Sequence, residues 1–169
     1  MSATTRAALA RSVRVDEIMG MPISIHVLNE SGTLSPTAER AVEACFAELR
    51  DIDRVFSTYR DDSDICRIAR GELDFAHADP RVADVEAACR AAAIETGGLF
   101  SAAWHGTFDP TGYVKGWSVE NAARRHLAPL LEREDVRERE QVQDRHGGGP
   151  RGVEHFLVRA LDDERRQRR

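Results

Sequence analysis

The chain has 169 residues, of which 41% are hydrophobic and 31% charged, with a formal net charge of −5. That length fits one domain. The composition excludes a disordered chain and a membrane-embedded one, because no run approaches the ~18 apolar residues of a spanning helix. With no basic block standing alone before the tail, the acidic balance also argues against nucleic acid as the main partner. The opening MSATTRAALAR has no apolar signal-peptide core, so a cytoplasmic protein is expected. Cys45, Cys66 and Cys89 cannot all pair and each falls in a helical pattern, so they read as reduced core thiols.

Charge density divides the chain near residue 131. Residues 1–130 carry 33 charged groups, about a quarter, as a globular domain does. Residues 131–169 carry 20 in 39, with only 9 apolar. Of the 24 basic residues 23 are arginine, and Lys115 is the single lysine. Such arginine usage fits GC-rich coding, in which a shifted reading frame also yields Arg, Gly, Pro and Asp. Residues 1–131 are therefore taken as the folded part. For 132–169 two readings stand: a solvated, disordered charged tail, or out-of-frame translation.

In chain order, residues 12–28 come first. Val13, Val15, Ile23, Ile25 and Val27 alternate with polar residues around Met19-Gly20-Met21-Pro22 and predict two short strands. Ser35 and Pro36 then open a helix whose stripe is Val42, Cys45, Phe46, Leu49, Ile52, Val55 and Phe56. The polar loop Ser57–Ser63 follows, with Ser63 placed to cap a short helix carrying Ile65 and Ile68. Pro80 to Thr96 reads as a helix with Val82, Val85, Cys89, Ala92 and Ala93 inward, stopped by Gly97-Gly98. A loop with Phe100, Trp104 and Phe108 leads into Asp109-Pro110-Thr111-Gly112-Tyr113-Val114-Lys115-Gly116-Trp117. Near there a last helix presents Val119, Ala122, Ala123, Leu127, Leu130 and Leu131. No repeat is evident. The order is strands and then helices, which is α+β, and the strands are too few to cover the helices, as if the sheet stopped before completion.

Asp109 to Lys115 is the strongest chemical constellation. Pro110 and Gly112 favour a tight turn, and a helix starting there aims its free N–H groups at an anion, with Lys115 adding charge. Turn carbonyls are candidate ligands for a hard cation such as Mg²⁺. A purely structural turn satisfies the same residues. The phosphate loop G-x-x-x-x-G-K-[ST] is absent. His105 and His126 are too isolated for zinc, and Ser57 and Ser63 have no nucleophile-elbow context. Asp61, Asp62 and Asp64 read as a solvated turn. Tyr59 and Trp117 are able to stack on a flat ring or to sit at the rim of a core.

Four segments together carry a resemblance. Met19-Gly20-Met21-Pro22-Ile23-Ser24-Ile25 resembles the M-G-T-x-x-S-I strand of the ApbE family, the FAD:protein FMN transferases. Phe56 to Ser63 is similar to its F-S-x-Y-x-x-x-S loop, Thr96 to Ser101 to its T-x-G-x-F-D stretch, and Asp109 to Trp117 to its D-x-x-G-x-x-K-G-(W/Y) segment. The resemblance covers about residues 12–131. It implies an ApbE-like α+β fold and Mg²⁺-dependent transfer of FMN from FAD to a threonine of a target protein, releasing AMP. Position by position, it implies that Met19, Tyr59, Leu99, Phe100 and Ser101 line the flavin. Asp109 and Lys115 would contact the nucleotide, and Gly112 would offer its carbonyl to the metal. The sequence departs at Met21, where threonine is usual, and at Ser101, where aspartate is common. The family's Gly-Gly-Asp strand and Asp-x-x-(Asp/Ala)-Thr metal motif find no match after residue 131, where Gly147-Gly148-Gly149-Pro150 lacks the aspartate. The catalytic carboxylate is therefore expected in a missing carboxy-terminal half, and the chain reads as an amino-terminal fragment. A non-enzymatic FAD-binding module and an FAD pyrophosphatase are the alternative functions.

Overall fold

The computed structural model describes residues 9–103, 106–131 and 155–160; Trp104, His105 and the run from Gly147 to Pro150 lie outside them. Contacts group the chain into two units, residues 47–121 forming one and the flanking segments the other.

In the flanking unit, β1 (Ala10–Ile18) and β2 (Met21–Asn29) pair antiparallel, as the period-two pattern predicts. Ile18 faces Met21, so the loop is Met19 and Gly20 alone, with φ of 58° and 69°. Two consecutive left-handed residues make a type I′ turn, whose twist matches that of the strands. β3 (His155–Ala160) lies on the other side of β2, also antiparallel, giving the order β1-β2-β3. This strand is not anticipated in the sequence, where HFLVRA is a short apolar run inside an arginine-dense segment.

Cross-strand partners share a face. Ser12, Arg14 and Asp16 pair with Val27, Ile25 and Ile23, and those three β2 residues are fully buried. Arg14 reaches Glu39 at 3.8 Å, which sets the start of α1 (Pro36–Phe56) over this face. Val13 and Val15 share the opposite face with His26 and Ser24 and are 36% and 63% exposed. Between β2 and α1, the buried Asn29 organises the loop. Its Oδ1 accepts the Gly32 N–H at 2.6 Å, and its Nδ2 donates to the Thr33 carbonyl at 2.7 Å.

α1 is capped as its sequence predicts, the Ala38 N–H donating to Ser35 Oγ at 3.2 Å. All seven stripe residues from Val42 to Phe56 are buried. Each such side chain contributes about 1.5–3 kcal/mol relative to exposure.

In the unit of residues 47–121, the second half of α1 is followed by α2 (Asp64–Ala69), a single 3₁₀ turn (Phe75–His77), α3 (Pro80–Glu95) and α4 (Thr111–Ala122). Ile65, Val82, Val85 and Cys89 are buried, whereas Ile68, Ala92 and Ala93 are half-buried. α3 ends where Gly97 and Gly98 turn left-handed, with Gly98 N–H bonding the Ala93 carbonyl at 2.8 Å. Cys45, Cys66 and Cys89 are free thiols. Burial pushes the Cys89 thiol up to about 11, with Glu86 adding to the shift. Cys66 is only half-buried, so it is less of a core residue than its helical spacing suggests.

Asp64 corrects one expectation. It is not part of a solvated turn: its carboxylate accepts the Asp79 N–H at 2.7 Å and so fastens α2 to the start of α3. The inward face of α4 differs as well. Val114, Ser118 and Ala122 are buried four residues apart, while Val119 is half-buried. One wide π turn at Ala123–Leu127 then inserts an extra residue and brings Leu127 into the same buried row. Periodicity counted at 3.6 cannot register that insertion.

Candidate nucleotide site

The Ser57–Ser63 loop is folded by its own hydroxyls. Ser63 Oγ donates to the Ser57 carbonyl at 2.6 Å and accepts the Cys66 N–H at 3.1 Å, capping α2. Ser57 Oγ accepts the Tyr59 N–H at 3.2 Å. Both serines of the motif are therefore structural, and their product is a tight loop that leaves Tyr59 89% exposed. The loop begins at Phe56, whose ring meets Trp117 of α4 edge-on at 6.0 Å.

Thr96 organises the second segment. Its Oγ1 donates to the Ala92 carbonyl at 2.8 Å and accepts the Phe100 N–H at 3.1 Å. With Gly97 and Gly98 reversing the chain, Leu99 projects into solvent at 94% exposure. Ser101 Oγ accepts the Ala103 N–H at 3.2 Å.

The third segment is mostly helix rather than turn. Thr111 is already the first residue of α4, so Gly112 and Lys115 lie on helical backbone. Asp109 precedes it and accepts the Thr111 N–H at 3.0 Å, together with a bond from the Thr111 hydroxyl. The buried Pro110 supplies the first helical acceptor, to the Val114 N–H at 2.9 Å. The sequence signal for the Thr111 contact is an Asp followed two residues later by Thr before a helix. Asp109 is thus a cap as well as a candidate ligand.

Phe100 and Gly112 come together: a Cβ on Gly112 would stand 3.4 Å from the Phe100 ring. Asp109, Thr111 and Gly112 follow one another at this helix start, with the half-buried Lys115 one turn on. Tyr59 joins the same unit through Phe56 and Trp117. Met19 belongs to the flanking unit.

The chain matches the family model described as the ApbE family over residues 19–111. It belongs to the ApbE family. The matched span includes Met19, Tyr59, Leu99, Phe100, Ser101 and Asp109, while Gly112 and Lys115 lie just beyond it. A search of curated proteins gives no match. ApbE function is, at family level, of the flavin-transferase type, acting on FAD with Mg²⁺ and on a protein target. Among the described residues of this ApbE chain, no helix is long and apolar enough to cross a membrane.

The residues present fit the two implied groups unequally. A flat flavin needs apolar and aromatic surface beside hydrogen-bonding backbone. Exposed Tyr59 and Leu99, and a helix start with no Cβ next to Phe100, are of that kind. Mg²⁺ needs several hard oxygens in octahedral array. Among the described residues no group of three His, Cys, Asp or Glu side chains is placed to hold a metal. Asp109, already engaged by Thr111, does not make a metal site by itself.

Proposed function

We propose that this chain supplies the flavin-nucleotide-binding part of an FAD:protein FMN transferase. The observation that carries this reading is the start of α4. There an Asp-capped helix end, a glycine without a Cβ against Phe100, and the single lysine one turn along form one short stretch. The helix dipole and first-turn N–H groups favour a diphosphate, and Lys115 adds a full positive charge. Phe100, Leu99 and Tyr59 offer faces for the isoalloxazine, with Ser101 at the edge. In the reaction, a threonine Oγ of the target bonds to the FMN phosphorus, the bond to the AMP phosphate breaks, and the threonine proton is lost. The Gly112 carbonyl, which the resemblance offers to Mg²⁺, lies on the helical backbone of α4, and a metal neutralising the diphosphate would need oxygen ligands beyond those of the described residues.

Equilibrium titration of the purified chain with FAD tests the binding half of this reading. Low-micromolar binding that falls at least tenfold in Lys115→Ala is the expected result, since loss of one charge-assisted contact costs about 1.5–3 kcal/mol. A folded chain that ignores FAD would sink the proposal. Incubation with FAD, Mg²⁺ and a threonine-bearing target then separates the alternatives. A flavin-fluorescent target marks transfer, FMN plus AMP without a labelled target marks a pyrophosphatase, and bound, intact FAD marks a binding module.

A further inference from the structure

Among the described residues β1 is an edge strand, with β2 as its one neighbour in the sheet. With a two-residue loop, the flanking Ile18–Met21 pair exchanges ladder hydrogen bonds, and the bonding alternates along the strand. Arg11, Val13, Val15 and Glu17 therefore turn their N–H and C=O groups away from β2. Two observations agree with this parity. The Glu17 N–H donates to the Asp16 carboxylate at 2.8 Å, and the Val13 carbonyl accepts from Arg14 at 3.4 Å. Both groups are thus satisfied by neighbouring side chains rather than by the ladder.

The sequence of this edge is complementary to itself when reversed. Placed antiparallel to a copy, with the two-fold axis at Arg14, Arg11 faces Glu17, Val13 faces Val15, and Ser12 faces Asp16. Every outward-turned residue then meets an outward-turned residue, and in this register the Glu17 N–H and Val13 carbonyl exchange their side-chain bonds for ladder bonds. Arg11 and Glu17 are exposed, and Val13 and Val15 are the exposed apolar residues of the face opposite α1. The one like-charge meeting, Arg14 with its copy, is moderated by Glu39 at 3.8 Å. Edges normally carry charges of one kind or irregularities that prevent pairing. Here the charges are arranged to accept one partner.

We infer that β1 is a homodimerisation edge, pairing antiparallel with β1 of a second copy of this chain and joining the two sheets into one. Each Arg11 then forms a cross-strand ion pair with the other copy's Glu17, and four valines close over the axis. Reversing one charge sets two like-charge pairs against each other, which weakens the dimer about tenfold.

Sedimentation equilibrium of the full chain, with Arg11→Glu, Glu17→Arg and the double exchange, tests this. The expected result is a concentration-dependent dimer, weakened in each single variant and restored in the double one. Both substituted residues are exposed, so circular dichroism is expected to be unchanged across the set. A chain that stays monomeric at every concentration, or a dimer indifferent to the exchanges, overturns the inference. So does a dimer weakened by the singles and not recovered in the double variant.

Discussion

Met19 shows how a single residue carries a conformational cost. Its φ of 58° lies in the left-handed region, which for a side chain without a local hydrogen-bonding group costs roughly 1–2 kcal/mol. Asparagine adopts that region readily, and Asn-Gly is the favoured pair for a type I′ turn. Met19→Asn is therefore expected to stabilise the hairpin by about 1 kcal/mol, seen as a higher urea midpoint. Ser63 is the opposite case, a fully buried hydroxyl with both its donor and acceptor roles filled. Ser63→Ala removes the α2 cap and leaves the Ser57 carbonyl short of a partner. A loss of about 1–2 kcal/mol is expected by chemical denaturation, with Tyr59 released from its loop geometry.

At the scale of elements, α4 joins a structural start to a proposed ligand site, and Gly112 separates the two. Its position is helical and exposed, where alanine is better by up to about 1 kcal/mol. A Cβ at 3.4 Å from Phe100 is ordinary contact. Gly112→Ala should thus raise or hold the thermal midpoint while lowering FAD affinity; equal affinity would show that nothing approaches that backbone. α1 and α3 are tied by charge instead. Arg81 reaches both Asp51 and Asp79 at 2.8 Å. Its side-chain bonds hold Asp79 below the usual carboxylate range, and Arg54 and then Arg81 do the same for Asp51. Depressed carboxylates contribute stability above their unfolded value of about 3.9 and lose it as pH falls through the lower folded values. Asp53, raised by burial, works in the opposite sense. The loss of stability between pH 5 and pH 2 is expected to be smaller in Arg81→Met than in the parent chain, read from urea midpoints at each pH.

On the scale of the whole molecule, α1 contributes to both units: residues 36–46 belong to one and 47–56 to the other. Its buried stripe is unbroken across that boundary, from Phe46 to Leu49. Exposed Ala47 lies at the junction and allows a clean test. Ala47→Pro removes one helical hydrogen bond without touching the buried stripe, at a cost of about 3 kcal/mol. Because the helix feeds both units, hydrogen exchange is expected to accelerate in β2 as well as in α3. Acceleration confined to one unit would show that the helix does not couple them.

The elements with strong local signals were legible in the sequence. The hairpin, the stripe of α1, the Ser63 cap and the Gly97-Gly98 stop depend on residue type and period within a few positions, and they formed as read. The family was legible too, because Met19, Tyr59, Leu99, Phe100 and Asp109 fall in motifs that keep their order along the chain. Other features needed the folded chain. The role of Asp64 depends on Asp79, fifteen residues away. The inward row of α4 depends on a π turn that only packing imposes, and β3 exists because β2 offers it an edge. Local propensity sets what each segment can become, but the sequence does not state which distant group will satisfy a polar atom or cover an edge. Desolvation makes those partnerships obligatory, and only the assembled chain chooses among them.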